Sequence, residues 1–361
     1  MGPTAPLVGA LVDRGHEVTV ITGQRYRHTF DSLGARTTPL PPEVDFDDTD
    51  LDGSIPGRAG LSGLRLARFD LTRFVEAMPH QLRVVDEELD ASPVDVVLCD
   101  PLFLAGMPLV LRPRTERPRA LALGFLPLMA PLPALPPATN PLASARNAAI
   151  RRVARRFLRP ITRLAHEQVR ALTGAGTDLL PLDRPARSEG ILQMTAPGFE
   201  YPRTTAEVPA PIHFVGPTTT SATTCGGTLQ MDPLPDNVRV ADFLPYDELL
   251  PRCDVMFTNG GYGGVNHALR YAVPLVCVGA SEDKRDVAAR VTWSGVGVGI
   301  SRPALSRRAA RRAVHRVLGG TAYRSRAREL ADQIAAGPST DEVVALICGA
   351  DPTRGGPRVA R

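Results

Sequence analysis

Short apolar runs alternate with longer amphipathic stretches along the chain. Residues 1–14 are predicted to form a helix and residues 17–22 a strand, each bounded by polar or glycine-containing segments. A polar stretch, residues 37–63, predicts a loop, and residues 64–89 an amphipathic helix. Residues 94–99 then predict a buried strand. Short strands that alternate with helices are typical of an α/β protein with parallel sheets.

The middle of the chain combines a strand, an apolar loop and a basic helix. Residues 120–124 predict the strand, and residues 127–141 contain too many prolines for regular structure. Such a loop either lines a pocket for an apolar ligand or packs on the core. The helix, residues 146–172, presents an arginine cluster that either faces solvent or contacts an acidic membrane surface. The cluster consists of Arg151, Arg152, Arg155, Arg156 and Arg159.

The length of 361 residues predicts two domains. A strand over residues 212–215 closes the first, and the Thr- and Gly-rich residues 218–228 resemble a linker. We expect a first domain at 1–216, a second at 217–340, and a C-terminal helix and tail at 341–361, with the last helices returning to the first domain. The strands predicted for the second domain are residues 237–240, 254–258, 274–279 and 296–300.

Composition indicates a soluble globular protein, with 43% hydrophobic and 22% charged residues and a formal net charge of +4. The positive charge is spread along the chain without interleaved aromatic residues, which argues against nucleic acid as a partner. Five widely spaced cysteines suggest reduced thiols in a core and no zinc site. We find no leader-like segment and no apolar run long enough to span a bilayer, and therefore expect a cytoplasmic enzyme.

The clearest chemical signal lies between residues 254 and 264. A short apolar strand leads into Asn259-Gly-Gly-Tyr-Gly-Gly264, and a helix is predicted from Val265. A glycine-rich turn at a helix N-terminus offers backbone N–H groups and a favourable dipole to phosphate oxygens. The same glycines could serve only tight packing of the helix on the sheet.

Two further groups follow the carboxyl ends of predicted strands. Glu282, Asp283 and Lys284 come after residues 274–279, where they could hydrogen-bond sugar hydroxyls or cap the next helix. Asp100 follows residues 94–99. In open α/β sheets ligands bind beyond these strand ends, but Asp100 could equally be the N-cap of the next helix.

Together these motifs resemble the GT-B glycosyltransferases, which include natural-product and mycobacterial glycolipid transferases. The resemblance is carried by Asp242-Phe-Leu-Pro-Tyr246, residues 254–264, Val273-Pro-Leu275 and Glu282-Asp-Lys284, with Arg14-Gly-His-Glu-Val18 in support. It implies two Rossmann-like, doubly wound domains that face a central cleft. It also implies an inverting transfer, in which a histidine of the first domain deprotonates the acceptor hydroxyl and a nucleoside diphosphate leaves.

The resemblance also assigns roles to individual residues. Asp100 matches the acid that orients the catalytic histidine, and Asn259 stands where a histidine usually contacts phosphate. His267 replaces a glutamate that binds ribose. The remaining donor-binding positions comprise base contacts at Phe243 and Tyr246, the diphosphate loop at Gly260, Gly261, Gly263 and Gly264, and sugar contacts at Glu282, Asp283 and Lys284.

Three departures from the family pattern matter. The catalytic histidine belongs in a turn directly before the first helix and is not found there; His16 lies at the opposite end of the sheet. The opening strand of the first domain is missing, which a start codon assigned too far downstream would explain. A strand–helix unit of about 30 residues is missing between Gly216 and Asn237. We therefore expect incomplete sheets in both domains.

The sequence thus predicts a glycosyltransferase that uses a UDP- or dTDP-hexose and a lipophilic small molecule or lipid as acceptor, without metal or cofactor. A catalytically impaired nucleotide-sugar-binding remnant of the family is one alternative. A nucleotide-sugar epimerase of the same fold is another. The sequence leaves the sugar, the base and the acceptor open.

Overall fold

The computed structural model describes residues 4–48, 50–217, 222–224, 235–241, 243–280, 283–302 and 304–349. Contacts within the chain divide it into two compact units. The N-terminal unit contains residues 7–194, 200–215 and those described after 337. The C-terminal unit contains residues 195–199 and the described part of 216–337, together with residues 4–6. Most of the linker expected at 218–228 lies outside the described residues. Glu282 and the last twelve residues lie wholly outside them.

The described residues of the N-terminal unit form six parallel strands in two sheets. Their bounds are β1 Thr19–Thr22, β2 Arg36–Pro39, β3 Val96–Cys99, β4 Arg119–Gly124, β5 Ile191–Gln193 and β6 Ile212–Phe214. One sheet consists of β1 and β2, and the other has the order β3-β4-β5-β6. Every strand pairing in both sheets is parallel, as expected for α/β architecture.

Helices cover both faces of the four-stranded sheet or pack on one another. They are α1 Ala5–Val12, α2 Arg27–Asp31, α3 Leu51–Ser54, α4 Gly63–Ala91, α5 Gly106–Leu111, α6 Pro141–Thr173 and, late in the chain, α12 Thr340–Ile347. Leu121 of β4 clusters with Leu11 of α1 and Val344 of α12, whereas Ala122 clusters with Leu128 of the proline-rich loop. This alternation follows from the two-residue period of a strand.

Among the described residues of this unit, no strand joins the two sheets, in agreement with the incomplete sheets that the sequence predicts. Val18, next to β1, and Val96, in β3, belong to one hydrophobic cluster, yet the two strands lie in separate sheets. A continuous doubly wound sheet would need a further strand to join them. All four residues of β1 are partly or fully exposed, which agrees with the interruption.

The C-terminal unit is built on a small parallel sheet of order β11-β10-β9. The strands of this unit are β7 Ala222–Thr224, β8 Phe243–Pro245, β9 Met256–Thr258, β10 Leu275–Val278 and β11 Gly297–Ile300, with β7 and β8 forming an antiparallel pair. Among the described residues no strand pairs with the outer edge of β9, and Phe257 at its centre is 50% exposed. This open edge agrees with the strand–helix unit that the sequence lacks.

Helices pack on both faces of the three-stranded sheet. They are α7 Tyr246–Leu249, α8 Tyr262–Arg270, α9 Lys284–Trp293, α10 Arg307–Gly319 and α11 Thr321–Ala335. Leu275 faces a cluster that includes Val265 of α8 and Val287 of α9, whereas Val276 faces Val317 of α10. In the part of the chain that is described, no helix is long and apolar enough to cross a membrane.

The structure corrects three predictions of secondary structure. Residues 237–240 form no strand, because the Val238 N–H closes a turn on the Pro235 carbonyl at 2.9 Å. The loop expected from residue 37 contains most of β2. The side chains of this strand are polar because Arg36 and Thr38 both bond to Glu88, so the sequence shows no apolar pattern of a strand there. The three residues of β5 were too short to be recognised.

Candidate functional site

The glycine-rich turn of the C-terminal unit connects β9 to α8. Gly260 has a left-handed conformation with φ of 88°, and its N–H donates to Thr258 Oγ1 at 3.2 Å. The Asn259 side chain is exposed, and its Oδ1 accepts a hydrogen bond from Gly261 N–H at 3.3 Å. The turn is therefore held by local hydrogen bonds before any ligand binds.

Helix α8 begins earlier than the sequence predicts, at Tyr262 instead of Val265. Gly263 and Gly264 thus lie in the first helical turn and not in the loop before it. The first N–H groups of a helix have no acceptor within the helix, so this turn directs backbone donors and the positive end of the helix dipole outward. The geometry suits an anionic ligand at the start of α8.

The four glycines do not play equivalent roles. A Cβ atom at Gly260 would lie 2.9 Å from Cys277 Sγ, and one at Gly264 would lie 3.4 Å from Tyr246 Oη, so both have packing reasons to be glycine. Gly263 is exposed, and a Cβ there would meet nothing within 4 Å. Only Gly263 and the half-buried Gly261 leave space on the outer side of the turn.

The structure brings the start of α9 next to this turn. A Cβ atom at Gly260 would lie 3.3 Å from the Lys284 carbonyl oxygen, and one at Gly279 only 2.6 Å from it. Glycine at both positions lets the chain at Lys284 approach the ends of β9 and β10. Asp283 occupies the N-cap position of α9, but its side chain makes no capping hydrogen bond. Asp283 and Lys284 thus adjoin the turn, while Glu282 lies outside the described residues.

Two predicted donor contacts have different surroundings from those expected. His267 is completely buried, its ring packs at 5.7 Å from the Tyr246 ring, and burial lowers its pKa. A ring without exposed surface offers no nitrogen to a ribose, so the predicted ribose contact is not supported. Tyr246 is half-buried against the same core. For Phe243 the structure gives only the backbone, in β8.

A buried polar contact that the sequence did not reveal supports α8 from within. Thr195 Oγ1 donates to Asn266 Oδ1, and Asn266 Nδ2 donates to the Tyr262 carbonyl at 3.0 Å. Asn266 is 1% exposed. It ties the first turn of α8 to Thr195, which lies 71 positions before Asn266 in the sequence. The role of Asn266 is visible only from its contact with a distant segment, because an asparagine inside a helix does not indicate such a contact in the sequence.

Asp100 lies in the N-terminal unit directly after β3. Its Oδ1 accepts the Leu102 N–H at 2.8 Å, and α5 begins only at Gly106, so Asp100 closes a turn and does not cap the helix. Asp100 is exposed as a residue, but burial of its carboxyl group raises the pKa of that group, an effect that the Leu102 N–H and Arg184 partly oppose. A carboxylate at this strand end remains a candidate functional group.

Arg184 holds the Asp100 turn from the interior. Its Nη2 donates to the Asp100 carbonyl at 2.7 Å, while Nε and Nη1 are buried without a hydrogen-bond partner among the described residues. The side chain is 0% exposed. A Cβ atom at Gly106 would lie 2.9 Å from Nη1, so glycine is needed for the guanidinium to fit. Residue spacing alone offers no reason to select an arginine in the 3₁₀ segment Pro181–Arg187.

No histidine accompanies Asp100. All seven histidines lie in the described part of the chain, and none makes a hydrogen bond to the Asp100 carboxylate. His16 instead contacts Cys348 at 3.5 Å, and His166 bonds to the Leu179 carbonyl. Within the described ranges, no group of three or more His, Cys, Asp or Glu side chains is arranged to hold a metal ion.

Comparisons with known proteins identify the family. Residues 217–349 match the model described as "Erythromycin biosynthesis protein CIII-like, C-terminal domain". The 4'-demethylrebeccamycin synthase of Lentzea aerocolonigenes is 33% identical, over 97% of this chain and 96% of its own. The chain belongs to the family 1 natural-product glycosyltransferases. UDP-glucosyltransferase A1 of Starmerella bombicola is 27% identical, over 82% of this chain and 78% of its own.

Solved structures show that this glycosyltransferase has the GT-B fold. The glycosyltransferase of kitacinnamycin matches with a TM-score of 0.68 at 17% identity, over 97% of this chain and 95% of its own. The calicheamicin glycosyltransferase CalG4 matches with a TM-score of 0.66 at 20% identity, over 98% of this chain and 96% of its own. The predicted fold class, two doubly wound domains with incomplete sheets, is confirmed.

This glycosyltransferase is also shorter than its relative within the aligned range. The alignment with the Lentzea enzyme spans 416 positions, whereas 97% of 361 residues is about 350. The difference, about 66 positions, contains no residue of this chain. A shortening of this size agrees with the strand–helix unit that the sequence lacks between Gly216 and Asn237.

Proposed function

We propose that this glycosyltransferase transfers a hexose from a UDP- or dTDP-activated donor to a hydroxyl group of a lipophilic acceptor, with inversion at the anomeric carbon. The observation that carries the proposal is the β9–α8 turn, where Gly261 and Gly263 leave open space beside outward-directed N–H groups. Such a turn binds a diphosphate through backbone hydrogen bonds and the helix dipole. Asp283 and Lys284, next to it, are then placed to contact the sugar.

Names of similar proteins support both nucleotides. Several curated relatives are named UDP-glucosyltransferases, whereas the spinosyn rhamnosyltransferase was solved with thymidine diphosphate, at a TM-score of 0.59 and 18% identity. Nothing in the described residues separates uracil from thymine, because the structure gives no side chain for Phe243. We therefore keep UDP and dTDP as alternatives for the experiment.

The proline-rich loop of the N-terminal unit supports a lipophilic acceptor. Its Leu128 and Ala130 pack in the core, and the Leu132 N–H donates to Asp183 at 2.9 Å, so the loop is fixed. Met129 and Leu135 are only half-buried and leave apolar surface exposed. The spinosyn enzyme has also been solved with spinosyn aglycone, which is a precedent for an aglycone as acceptor in this fold.

Inversion requires a base that takes the proton of the acceptor hydroxyl as its oxygen attacks the anomeric carbon and the nucleoside diphosphate leaves. We propose Asp100 as the carboxylate of this machinery, because it ends β3 and is reached by solvent. The family resemblance gives it the task of orienting a histidine. No described histidine bonds to it, so the identity of the base remains for experiment.

Because no described histidine bonds to Asp100, a second candidate is a nucleotide-sugar-binding remnant that does not transfer sugar. Both candidates predict donor binding at the β9–α8 turn, and they differ only in turnover. An epimerase, the third alternative, would change the nucleotide sugar without any acceptor.

Calorimetry with UDP, dTDP and ADP tests the proposed diphosphate-binding site at the β9–α8 turn. Gly263→Ala places a methyl group in the open space and is expected to weaken binding at least about tenfold, since it would block the approach of phosphate to the backbone. Gly319→Ala is the matched control. Gly319 is also a helical residue, at the end of α10, and a Cβ atom added there would likewise meet nothing within 4 Å. Equal affinities of wild type and Gly263→Ala would remove the assignment of this turn.

Mass spectrometry of products then separates the candidates. Wild type is incubated with UDP- and dTDP-glucose, with and without a panel of polyketide and sterol-like alcohols. A glycosylated alcohol that Asp100→Asn no longer forms supports the transferase. Donor binding with no product supports the remnant, and an altered nucleotide sugar without acceptor supports the epimerase.

A further inference from the structure

Most side chains in the first half of α6 are exposed to solvent. Among residues 141–160, all of them described, only Asn147 is buried. Leu142 is 81% exposed, Val153 69% and Ile150 40%. The second half of the helix, in contrast, packs against α4 and α5. A single exposed aliphatic residue is ordinary, but three on one free helical segment form an apolar surface.

The same segment carries a strong positive charge. Eight arginines occur in α6, and its first acidic residue is Glu167, in the packed half. Arg151 lies 4.0 Å from Glu207, at the limit of an ion pair. Arg152, Arg156 and Arg159 are exposed and have no carboxylate within 4.0 Å in the described part of the chain. Unpaired guanidinium groups at this density attract an anionic surface.

Helical geometry places these two features side by side. Arg152, Arg156, Arg159 and Arg163 follow spacings of four, three and four residues, which forms one stripe along the helix. Leu142 and Val153 are eleven residues apart, about three turns, and therefore share a second stripe next to it. The exposed face thus combines insertable aliphatic groups with donors for phosphate oxygens.

We propose that the exposed face of residues 141–163 is a docking surface for a membrane that contains anionic phospholipids. Arginines would contact lipid phosphates while Leu142 and Val153 enter the boundary of the acyl chains. An acidic protein or a nucleic acid would use the charge but gain little from the aliphatic side chains, and no aromatic residue on this face is exposed enough for a base to stack on. The proposal goes beyond sugar transfer and does not depend on it.

Cosedimentation of the full chain with phosphatidylcholine vesicles, with and without phosphatidylglycerol, tests this surface. We expect binding only to the anionic vesicles, with most of it lost at about 0.5 M salt, where charges are screened within a few ångströms. Arg152→Glu with Arg156→Glu is expected to lower partitioning at least about tenfold. Leu142→Ser with Val153→Ser should also lower it while leaving the net charge unchanged.

The matched control is Arg308→Glu with Arg312→Glu in α10. This pair is exposed, lies on another basic helix and changes the net charge of +4 by the same amount. It should leave vesicle binding unchanged, and circular dichroism should show unaltered helix content in all variants. Absence of binding to anionic vesicles at low salt would overturn the proposal. An equal loss of vesicle binding in the α10 control would also overturn it. So would binding to polyglutamate or RNA that is as strong as binding to anionic vesicles and is unchanged by Leu142→Ser with Val153→Ser.

Discussion

Arg184 donates a 2.7 Å hydrogen bond to the backbone carbonyl of Asp100, across 84 positions of sequence. The contact joins a completely buried guanidinium to the residue that ends β3 at the candidate active-site edge. Burying a charge with two unpaired donors costs free energy. The position of the Asp100 turn is thus set by an interior side chain and not only by the turn itself.

Gly106→Ala is expected to destabilise the protein by about 1 to 3 kcal/mol, because a Cβ atom would collide with the buried Arg184. The free energy of unfolding, measured in urea, checks this. In the Arg184→Ala background the cost should disappear, which gives a coupling energy of at least about 1 kcal/mol in a double-mutant cycle. Additive effects would show that the two residues do not interact.

Arg184→Met is expected to raise the pKa of Asp100 further. Burial is the larger influence and already raises this pKa, whereas the positive charge of Arg184 lowers it. Carbon-detected NMR titration of the Asp100 carboxyl measures the change directly and needs no activity. Arg187→Met is the control, because Arg187 lies in the same 3₁₀ segment with an exposed side chain. No difference between the two variants would contradict the expectation.

Gly260→Ala and Gly263→Ala should affect stability in opposite ways. The first places a Cβ atom 2.9 Å from Cys277 Sγ in a left-handed conformation, and we expect a loss of about 2 to 3 kcal/mol. The second adds a methyl group in open space within a helix, where alanine is favoured over glycine by up to about 1 kcal/mol. Urea denaturation distinguishes them, and equal effects would refute the separate roles.

Asp183→Asn should change how stability depends on pH. Burial raises the pKa of Asp183 from 3.8 to about 6, so the folded protein binds this proton more tightly than the unfolded chain. The group therefore destabilises the folded state progressively as the pH rises from about 4 to about 6. Asparagine keeps an oxygen that accepts the Leu132 N–H and remains neutral. Its free energy of unfolding should thus rise relative to wild type by about 1 to 2 kcal/mol across this window.

Urea titrations at several pH values from about 4 to about 7 give this comparison. Asp178→Asn, five residues earlier in the same unit, is a control for loss of a carboxylate. A constant difference between Asp183→Asn and wild type over the whole range would contradict the raised pKa.

Donor affinity should not depend on a metal ion. We propose that the phosphate charge is balanced by the N–H groups and dipole of α8, and the described residues hold no group suited to metal binding. Calorimetric affinities for UDP and dTDP are expected to agree within about twofold with EDTA and with added Mg²⁺. A tenfold gain with Mg²⁺ would require a different diphosphate site.

The sequence predicted the order of most strands and helices because their apolar spacing is regular. The long helices, expected at 64–89 and 146–172, extend over Gly63–Ala91 and Pro141–Thr173. It could not predict β2, whose Arg36 and Thr38 are polar because they bind Glu88 on a neighbouring helix. Polar partners supplied by tertiary contacts are invisible in a local pattern.

The candidate site was predictable in position but not in detail. The glycines of residues 260–264 mark the turn, yet the distinction between Gly260 and Gly263 depends on Cys277 and Lys284, which only the fold brings near. Arg184 is one arginine among many in the sequence. The role of Arg184 follows from its burial beside Asp100, and residue spacing in the sequence does not predict that contact.

The open edge of β9 has a consequence for handling the protein. On the outer side of β9, where no described strand pairs, three residues with Phe257 half exposed at their centre form a template on which a strand of another molecule can add. Two such edges can meet without any change in fold, so self-association would be expected to rise steeply with concentration. We therefore expect the protein to stay monomeric only in dilute solution.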